Sequence, residues 1–278
     1  MKRELLLSLQ IPLPPFSEQQ RIIIEMEHLF TLIDKVEENK YDLQAIIKQA
    51  KNKILDLAIQ GKLVQQDLNE EPASELLKRI NPKAEITCDN GQYGKRPFEI
   101  PNSWCWSRLG DINNIARGGS PRPIKDYLTD DKNGINWIKI GDTTREGKYI
   151  DSVKEKIRPE GMKKSRFVHK GDFLLTNSMS FGRPYILNVD GCIHDGWLVI
   201  SPIGEVYTSD FLYHLLSSSF AFEQFTNVAS GGVVTNLNSD KVADTIFPVP
   251  PLAEQQRIVA KIEKLFEQLD YRRIVLCS

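Results

Sequence analysis

The side chains able to do acid–base or metal chemistry are few and scattered. The four histidines are His28, His169, His194 and His214, and His194 alone stands beside an aspartate, in His194-Asp195-Gly196-Trp197. A lone His-Asp pair serves structure or binding far more often than it forms a catalytic dyad. The four cysteines, Cys88, Cys105, Cys192 and Cys277, form no C-x-x-C pair and no zinc-type cluster with histidine, and they read as reduced thiols. No phosphate-cradling G-x-x-x-x-G-K-[ST] or G-x-G-x-x-G loop, no G-x-S-x-G elbow and no H-E-x-x-H helix is present. The [ND]-P-P-[YF] signature of an amino-methyltransferase is missing too, since the double prolines Pro14-Pro15 and Pro250-Pro251 follow Leu13 and Val249 instead. The sequence assigns no catalytic residue, no metal site and no cofactor to this chain.

Three stretches carry binding chemistry. From Lys154 to Lys170 there are seven basic residues, Lys154, Lys156, Arg158, Lys163, Lys164, Arg166 and Lys170, opposed only by Glu155 and Glu160. Such a run suits phosphate contacts, which position a protein on DNA without reading its sequence; it is equally compatible with a solvated basic face. Asn177, Ser178 and Arg183 follow, offering side chains that can contact adenine and guanine edges, or else a structural hairpin-edge loop. The third stretch, Arg117-Gly118-Gly119-Ser120-Pro121-Arg122-Pro123-Ile124-Lys125, joins basic residues to glycines that let backbone approach a ligand, or forms an ordinary surface turn. Arg117, Gly118, Gly119, Ser120, Arg122, Lys125 and His194 complete the candidate DNA-binding set.

Thirty-six basic residues balance 37 acidic ones in 278, a net charge of −1. That excludes a protein that coats nucleic acid by bulk charge, but not one with a local basic face. No apolar stretch is long enough for a transmembrane helix, and Met1–Gln10 lacks the features of a signal peptide. A cytoplasmic protein with no membrane contact is expected.

The elements that must position these stretches are organised by an internal repeat. Pro12-Leu13-Pro14-Pro15-Phe16-Ser17-Glu18-Gln19-Gln20-Arg21-Ile22 recurs as Pro248-Val249-Pro250-Pro251-Leu252-Ala253-Glu254-Gln255-Gln256-Arg257-Ile258. Each copy reads as an extended entry followed by a helix. Ser17 and Gln20 suggest a capping box. A helix from about Ser17 to Gln60, stopped by Gly61, would be ~65 Å long. Ile22, Met26, Leu29, Ile33, Val36, Leu43, Ile47, Ile54 and Leu57 lie on a heptad seam interrupted at Lys40, and the second copy begins the same seam at Ile258, Ile262, Leu265 and Leu269 before departing after Asp270. The seam from about Val36 to Leu57 is expected to meet another chain, unless the middle domain folds back over it.

The fold class is α+β: one mixed α/β domain flanked by long coiled-coil-forming helices. Residues 1–16 read as the end of an extended segment, 17–96 as spacer helix and linker, 97–250 as the binding domain and 251–278 as a truncated second helix. A short helix is expected over Ala73–Ile80 and strands over Trp104–Leu109, Asn136–Ile140 and Phe173–Thr176. Tyr185–Val189 and Cys192–Ile200 should form a hairpin about Asp190-Gly191. Helices are expected over Thr208–Ser218 and Phe220–Val228, broken by Gly231-Gly232. Asn238 should cap a short helix before a closing strand, Thr245–Val249.

The repeated P-x-P-P-x-x-E-Q-Q-R-I running into a heptad helix resembles the conserved regions of type I restriction–modification DNA-specificity subunits. So do Ala58–Val64, Glu71–Ser74, Pro97–Trp104 and Asn236-Leu237-Asn238, and the resemblance extends from Ile11 to Asp270. It implies double-stranded DNA, methyltransferase subunits and a restriction subunit as partners, with S-adenosylmethionine held by the methyltransferase. Members usually carry two target-recognition domains; one here implies a half-length subunit that reads half of a split target and works as a homodimer. The rival reading is a truncated or silent specificity fragment acting only as a helical assembly partner.

Overall fold

The computed structural model describes residues 13–84, 97–144, 147–177, 181–229 and 236–277. It divides into two compact units, one of residues 1–50 and 269–278, the other of residues 51–268.

The first helix, α1, spans Phe16–Ile59. It starts directly after Pro15, whose carbonyl accepts from Glu18 N (2.9 Å) and Gln19 N (3.0 Å). The helix therefore begins one residue ahead of Ser17, with Pro15 rather than Ser17 in the N-cap position. Gly61, at φ 68°, ends the helix; Lys62 N returns to Leu57 O at 2.9 Å, the wrapped stop that glycine permits. A side chain at Gly61 would also lie 2.4 Å from the Pro101 ring.

After the helix α2 (Ala73–Ile80), the 51–268 unit forms β1 (Cys105–Arg108), α3 (Leu109–Ile112), β2 (Asn113–Arg117), β3 (Leu128–Thr129), β4 (Ile135–Ile138), β5 (Tyr149–Ile150), β6 (Lys156–Ile157), α4 (Pro159–Met162), β7 (Arg166–Val168), β8 (Phe173–Thr176), β9 (Pro184–Leu187), β10 (Gly191–Ile193) and β11 (Trp197–Pro202). Helices α5 (Ser209–Leu216), α6 (Ser219–Val228) and α7 (Ser239–Ala243) follow, then β12 (Ile246–Val249) and α8 (Leu252–Cys277). The expected caps appear: Thr208 Oγ1 accepts from Phe211 N (3.3 Å) and Asn238 Oδ1 from Asp240 N (2.8 Å).

Two five-stranded sheets, ordered β2-β11-β8-β9-β5 and β3-β6-β4-β10-β7, are accompanied by a separate antiparallel pair, β1-β12. The expected hairpin about Asp190-Gly191 does not form: β9 pairs with β8 and β5, whereas β10 pairs with β4 and β7 in the other sheet. Asp190 explains the change of sheet. Its carboxylate accepts from Lys170 N (2.7 Å) and its carbonyl from Asn136 Nδ2 (2.8 Å), so the bend is pinned to the second sheet.

Strands β8 and β11 lie between two cores. Phe173, Leu175, Leu198 and Ile200 join the cluster shared with the helices, whereas Leu174, Trp197 and Val199 join Ile138, Val168 and Ile193 of the other sheet. Period-two alternation with apolar residues on both faces is what a strand covered on both sides requires. The helical core also takes in Leu55, Ala58 and Ile59 from the end of α1 and Ile258, Val259 and Ile262 from the start of α8.

The seam expectation is corrected here. The last turns of α1 are covered within the chain, and Ile258 and Ile262 are fully buried in its core. The exposed apolar stretch is instead the beginning of α1: Ile22, Met26, Leu29, Ile33 and Val36 are 45–66% exposed.

One core residue makes stability depend on acidity. His214 on α5 is 8% exposed and lies edge-on to the rings of Tyr213 (5.6 Å) and Phe266 (6.0 Å). Burial, aided by the nearby Lys148, pushes its imidazole down to about 4. The unfolded chain protonates this side chain near pH 6.5 and the native chain resists to about 4. Stability therefore falls as pH drops through that window, by ~3 kcal/mol in all. Asp210, ion-paired with Lys148, faces the same ring and opposes the shift. In urea unfolding at pH 7 and 4.5, the wild-type chain is expected to lose ~2–3 kcal/mol more than His214→Phe.

Candidate nucleic-acid interface

The loop His194–Trp197 links β10 of one sheet to β11 of the other, and other loops converge on it. Gly118 N donates to Trp197 O (2.9 Å) and Gly119 N to Ile193 O (3.2 Å). Asn177 N donates to Gly196 O (2.9 Å), and Ser165 Oγ to Ile193 O (2.9 Å). Gly118 is needed for this closeness, since a Cβ there would stand 2.1 Å from the His194 carbonyl oxygen.

Asp195 is the charged centre of the junction. Ser120 Oγ donates to Oδ1 at 3.0 Å and Arg122 Nη2 to Oδ2 at 3.1 Å, while Arg117 Nε donates to the Asp195 carbonyl at 3.3 Å. Arg166 Nε in turn donates to Arg117 O at 3.1 Å. Partial burial works to raise the Asp195 carboxyl, but the bonds from Ser120 and Arg122 outweigh it and hold the group below its ordinary value. Burial lowers the His194 imidazole despite the opposing Asp195 charge. Gly196 N donates to His194 Nδ1 at 2.7 Å, a bond that needs an unprotonated nitrogen there.

The structure thus brings together Arg117, Gly118, Gly119, Ser120, Arg122, Arg166 and His194. Arg117, Arg122 and Arg166 are exposed, with the Arg122 side chain at 81%. Lys125, Lys163 and Lys164 are exposed on neighbouring segments; Lys164 Nζ lies 2.6 Å from Tyr127 Oη and over its ring. His194 is half-buried and holds the loops in place.

Other candidates fall elsewhere. Lys156 is on β6, which is separated from β7 by β4 and β10, about 14 Å at ordinary strand spacing. Lys156 Nζ donates to Lys132 O (2.7 Å) and Lys154 N to Asp142 Oδ1 (3.3 Å). The run that is continuous in sequence is therefore divided across a sheet. Asn177 is corrected as an exposed reader: it is 1% exposed, and its Oδ1 accepts from Leu237 N at 2.6 Å. Arg183 is half-buried, with its guanidinium 5.2 Å from the Tyr185 ring centre. Ser178 and Gly231-Gly232 lie outside the described residues. Asp195 was not a sequence candidate; the signal for it was an acid flanked by His and Gly, complementary to the basic glycine loop.

Rigid, exposed guanidinium groups on glycine-bearing loops can grip phosphates and donate to base edges. Among the described residues no group of three His, Cys, Asp or Glu could hold a metal ion, and no helix is long and apolar enough to cross a membrane.

The chain combines a two-sheet α/β domain bearing a basic loop junction with a long helix whose beginning exposes an apolar face. The comparisons define the class. The family model described as "Type I restriction modification DNA specificity domain" matches residues 101–274, and the chain belongs to this family of non-catalytic specificity subunits, which carry no cofactor. It is 24% identical to the type I restriction enzyme EcoAI specificity subunit of Escherichia coli, over 96% of this chain and 54% of that protein. The chain spans about half the length of the curated relatives it matches. Its fold is like that of a chain from a structure on complex assembly and conformational transition of the type I restriction–modification system (TM-score 0.58, 21% identity, 96% of this chain and 56% of that one). It is also like the HsdS subunit from Thermoanaerobacter tengcongensis (TM-score 0.50, 20% identity, 96% and 54%).

Proposed function

We propose that this chain is a DNA-reading subunit of a type I restriction–modification system that recognises one half of a split target. Residues 97–250 form the recognition domain, 17–96 the spacer, and 251–278 the second helix, whose start completes the recognition domain's core. The observation that carries the reading is the junction at Asp195, where three exposed arginines, Arg117, Arg122 and Arg166, up to 49 residues apart in sequence, are assembled. The subunit positions separate methyltransferase subunits, which hold S-adenosylmethionine, and a restriction subunit joins them in the cytoplasm.

Two-fold pairing of two copies would place two recognition domains on one duplex and demand an interrupted palindrome. The exposed face from Ile22 to Val36 supplies the apolar seam. Mass measurement in solution should give a dimer for the wild-type chain and a monomer for Leu29→Glu with Ile33→Glu; a wild-type monomer at micromolar concentration refutes the pairing. Methylation mapping with the cognate methyltransferase tests the function. Methylation confined to one bipartite sequence is expected, and methylation without sequence preference overturns the reading.

A further inference from the structure

The three arginines at the junction are held in two different ways. Arg117 Nε donates to the Asp195 carbonyl (3.3 Å) and Arg166 Nε to the Arg117 carbonyl (3.1 Å). Both acceptors are uncharged, and among the described residues neither guanidinium pairs with a carboxylate. Each keeps an unpaired positive charge and both terminal nitrogens for a ligand.

Arg122 is different. Its Nη2 meets Asp195 Oδ2 at 3.1 Å. The carboxylate is itself fixed, since Ser120 Oγ donates to Oδ1 (3.0 Å) and accepts from Asp195 N (3.3 Å). His194 Nδ1 lies 3.7 Å from Oδ1, but it accepts from Gly196 N and has no proton to share. Arg122 is therefore the counter-ion of Asp195, and its side chain is still 81% exposed. One of its five N–H donors is engaged.

This pairing selects the ligand. A phosphate contact draws on net positive charge, and a carboxylate bonded to the guanidinium repels an approaching phosphate. Arginine insertion into a narrow minor groove draws on the same net charge. What the pair retains is direction: a planar donor fork restrained by a charged hydrogen bond. Such a fork suits neutral acceptors at fixed spacing. In the major groove guanine presents two, N7 and O6. Adenine and cytosine present an amino donor there, and thymine one acceptor beside a methyl group. The unpaired Arg117 and Arg166 suit the flanking phosphates.

We infer that Arg122 reads a guanine from the major groove, with Asp195 as its positioning residue, while Arg117 and Arg166 grip the phosphate backbone. The inference rests on the junction being the DNA face and adds the base that is recognised and the residue that recognises it.

The test uses the full chain and duplexes selected from a random-sequence pool at about 150 mM salt. The wild-type chain should enrich a sequence containing a guanine preferred by about 5- to 150-fold over other bases. Arg122→Ala should abolish that preference, whereas Arg117→Ala and Arg166→Ala should weaken binding to all sequences alike. Replacing the guanine by 7-deazaguanine, which lacks the N7 acceptor, should weaken the wild-type chain about 5-fold or more and leave Arg122→Ala unaffected. Asp195→Asn should reduce the guanine preference while binding to unselected duplex rises about 2-fold or more, because Arg122 regains its net charge. A merely structural role for Asp195 would lower both. A selected sequence in which no guanine depends on Arg122, or a 7-deazaguanine effect equal in wild type and Arg122→Ala, overturns the inference and leaves the DNA-reading function standing. If Asp195→Asn lowers both kinds of binding together, its positioning role fails. A wild-type chain that enriches no sequence overturns the DNA-reading function itself, and this inference with it.

Discussion

The combined substitution Arg117→Ala, Arg122→Ala, Arg166→Ala is expected to weaken DNA binding by about 10²–10³-fold at near-physiological salt, if each arginine supplies ~1–1.5 kcal/mol. The logarithmic salt dependence should flatten by up to about three phosphate contacts. Stability should hardly change. All three arginines are exposed, and the single ion pair lost, Arg122 with Asp195, is a surface pair of the kind worth at most ~1 kcal/mol. Fluorescence anisotropy over a salt series separates the alternatives. If Lys154→Ala with Lys156→Ala causes the larger loss and the arginine variant binds normally, the DNA face lies on the β6 side of the second sheet. The junction reading then fails.

Gln255→Leu is expected to destabilise the chain by ~4 kcal/mol. The glutamine is fully buried, accepts one backbone hydrogen bond and donates two. Replacing it leaves Thr208 N–H and the carbonyls of Val206 and Pro250 without those partners, and a buried polar group left unpaired costs ~1–3 kcal/mol. Because Pro250 precedes α8 and Val206 precedes α5, the loss loosens the junction between the closing strand and the helical core. In calorimetry the melting temperature should fall by about 10 °C for a unit of this size. A change under about 2 °C would show that the repeat's polar residues do not hold the fold. Gln255→Glu provides a control of similar size that keeps an acceptor for Thr208 N–H.

Local signals in the sequence were readable where one physical cause dominates. Gly61 stops α1 and Thr208 caps α5 because those positions need a left-handed residue and a side-chain acceptor. The run Phe173-Leu174-Leu175 reads as a strand because a short apolar run suits a strand covered on both faces. The grouping of the candidate residues was legible in part: Arg117 to Arg122 and Arg166 lie together, and His194 is on the loop they meet. What could not be read was pairing at a distance. Asp190-Gly191 has the composition of a hairpin turn, and only the Lys170 and Asn136 bonds send β10 into the other sheet. Lys154–Lys170 is one basic run in sequence, yet β4 and β10 are inserted between its halves. Asn177 has the chemistry of an adenine reader but is used to hold Leu237. The repeat announced two equivalent helices without showing that one would be buried at its polar residues and the other exposed.

The most direct test of the central claim is selection of DNA by the full chain from a random-sequence duplex pool at about 150 mM salt, followed by sequencing. The account predicts enrichment of a defined half-site, or of two such sites at fixed spacing if the chain pairs, and loss of that enrichment with Arg117→Ala, Arg122→Ala, Arg166→Ala. Recovery of bound DNA with no enriched sequence from the wild-type chain would contradict it.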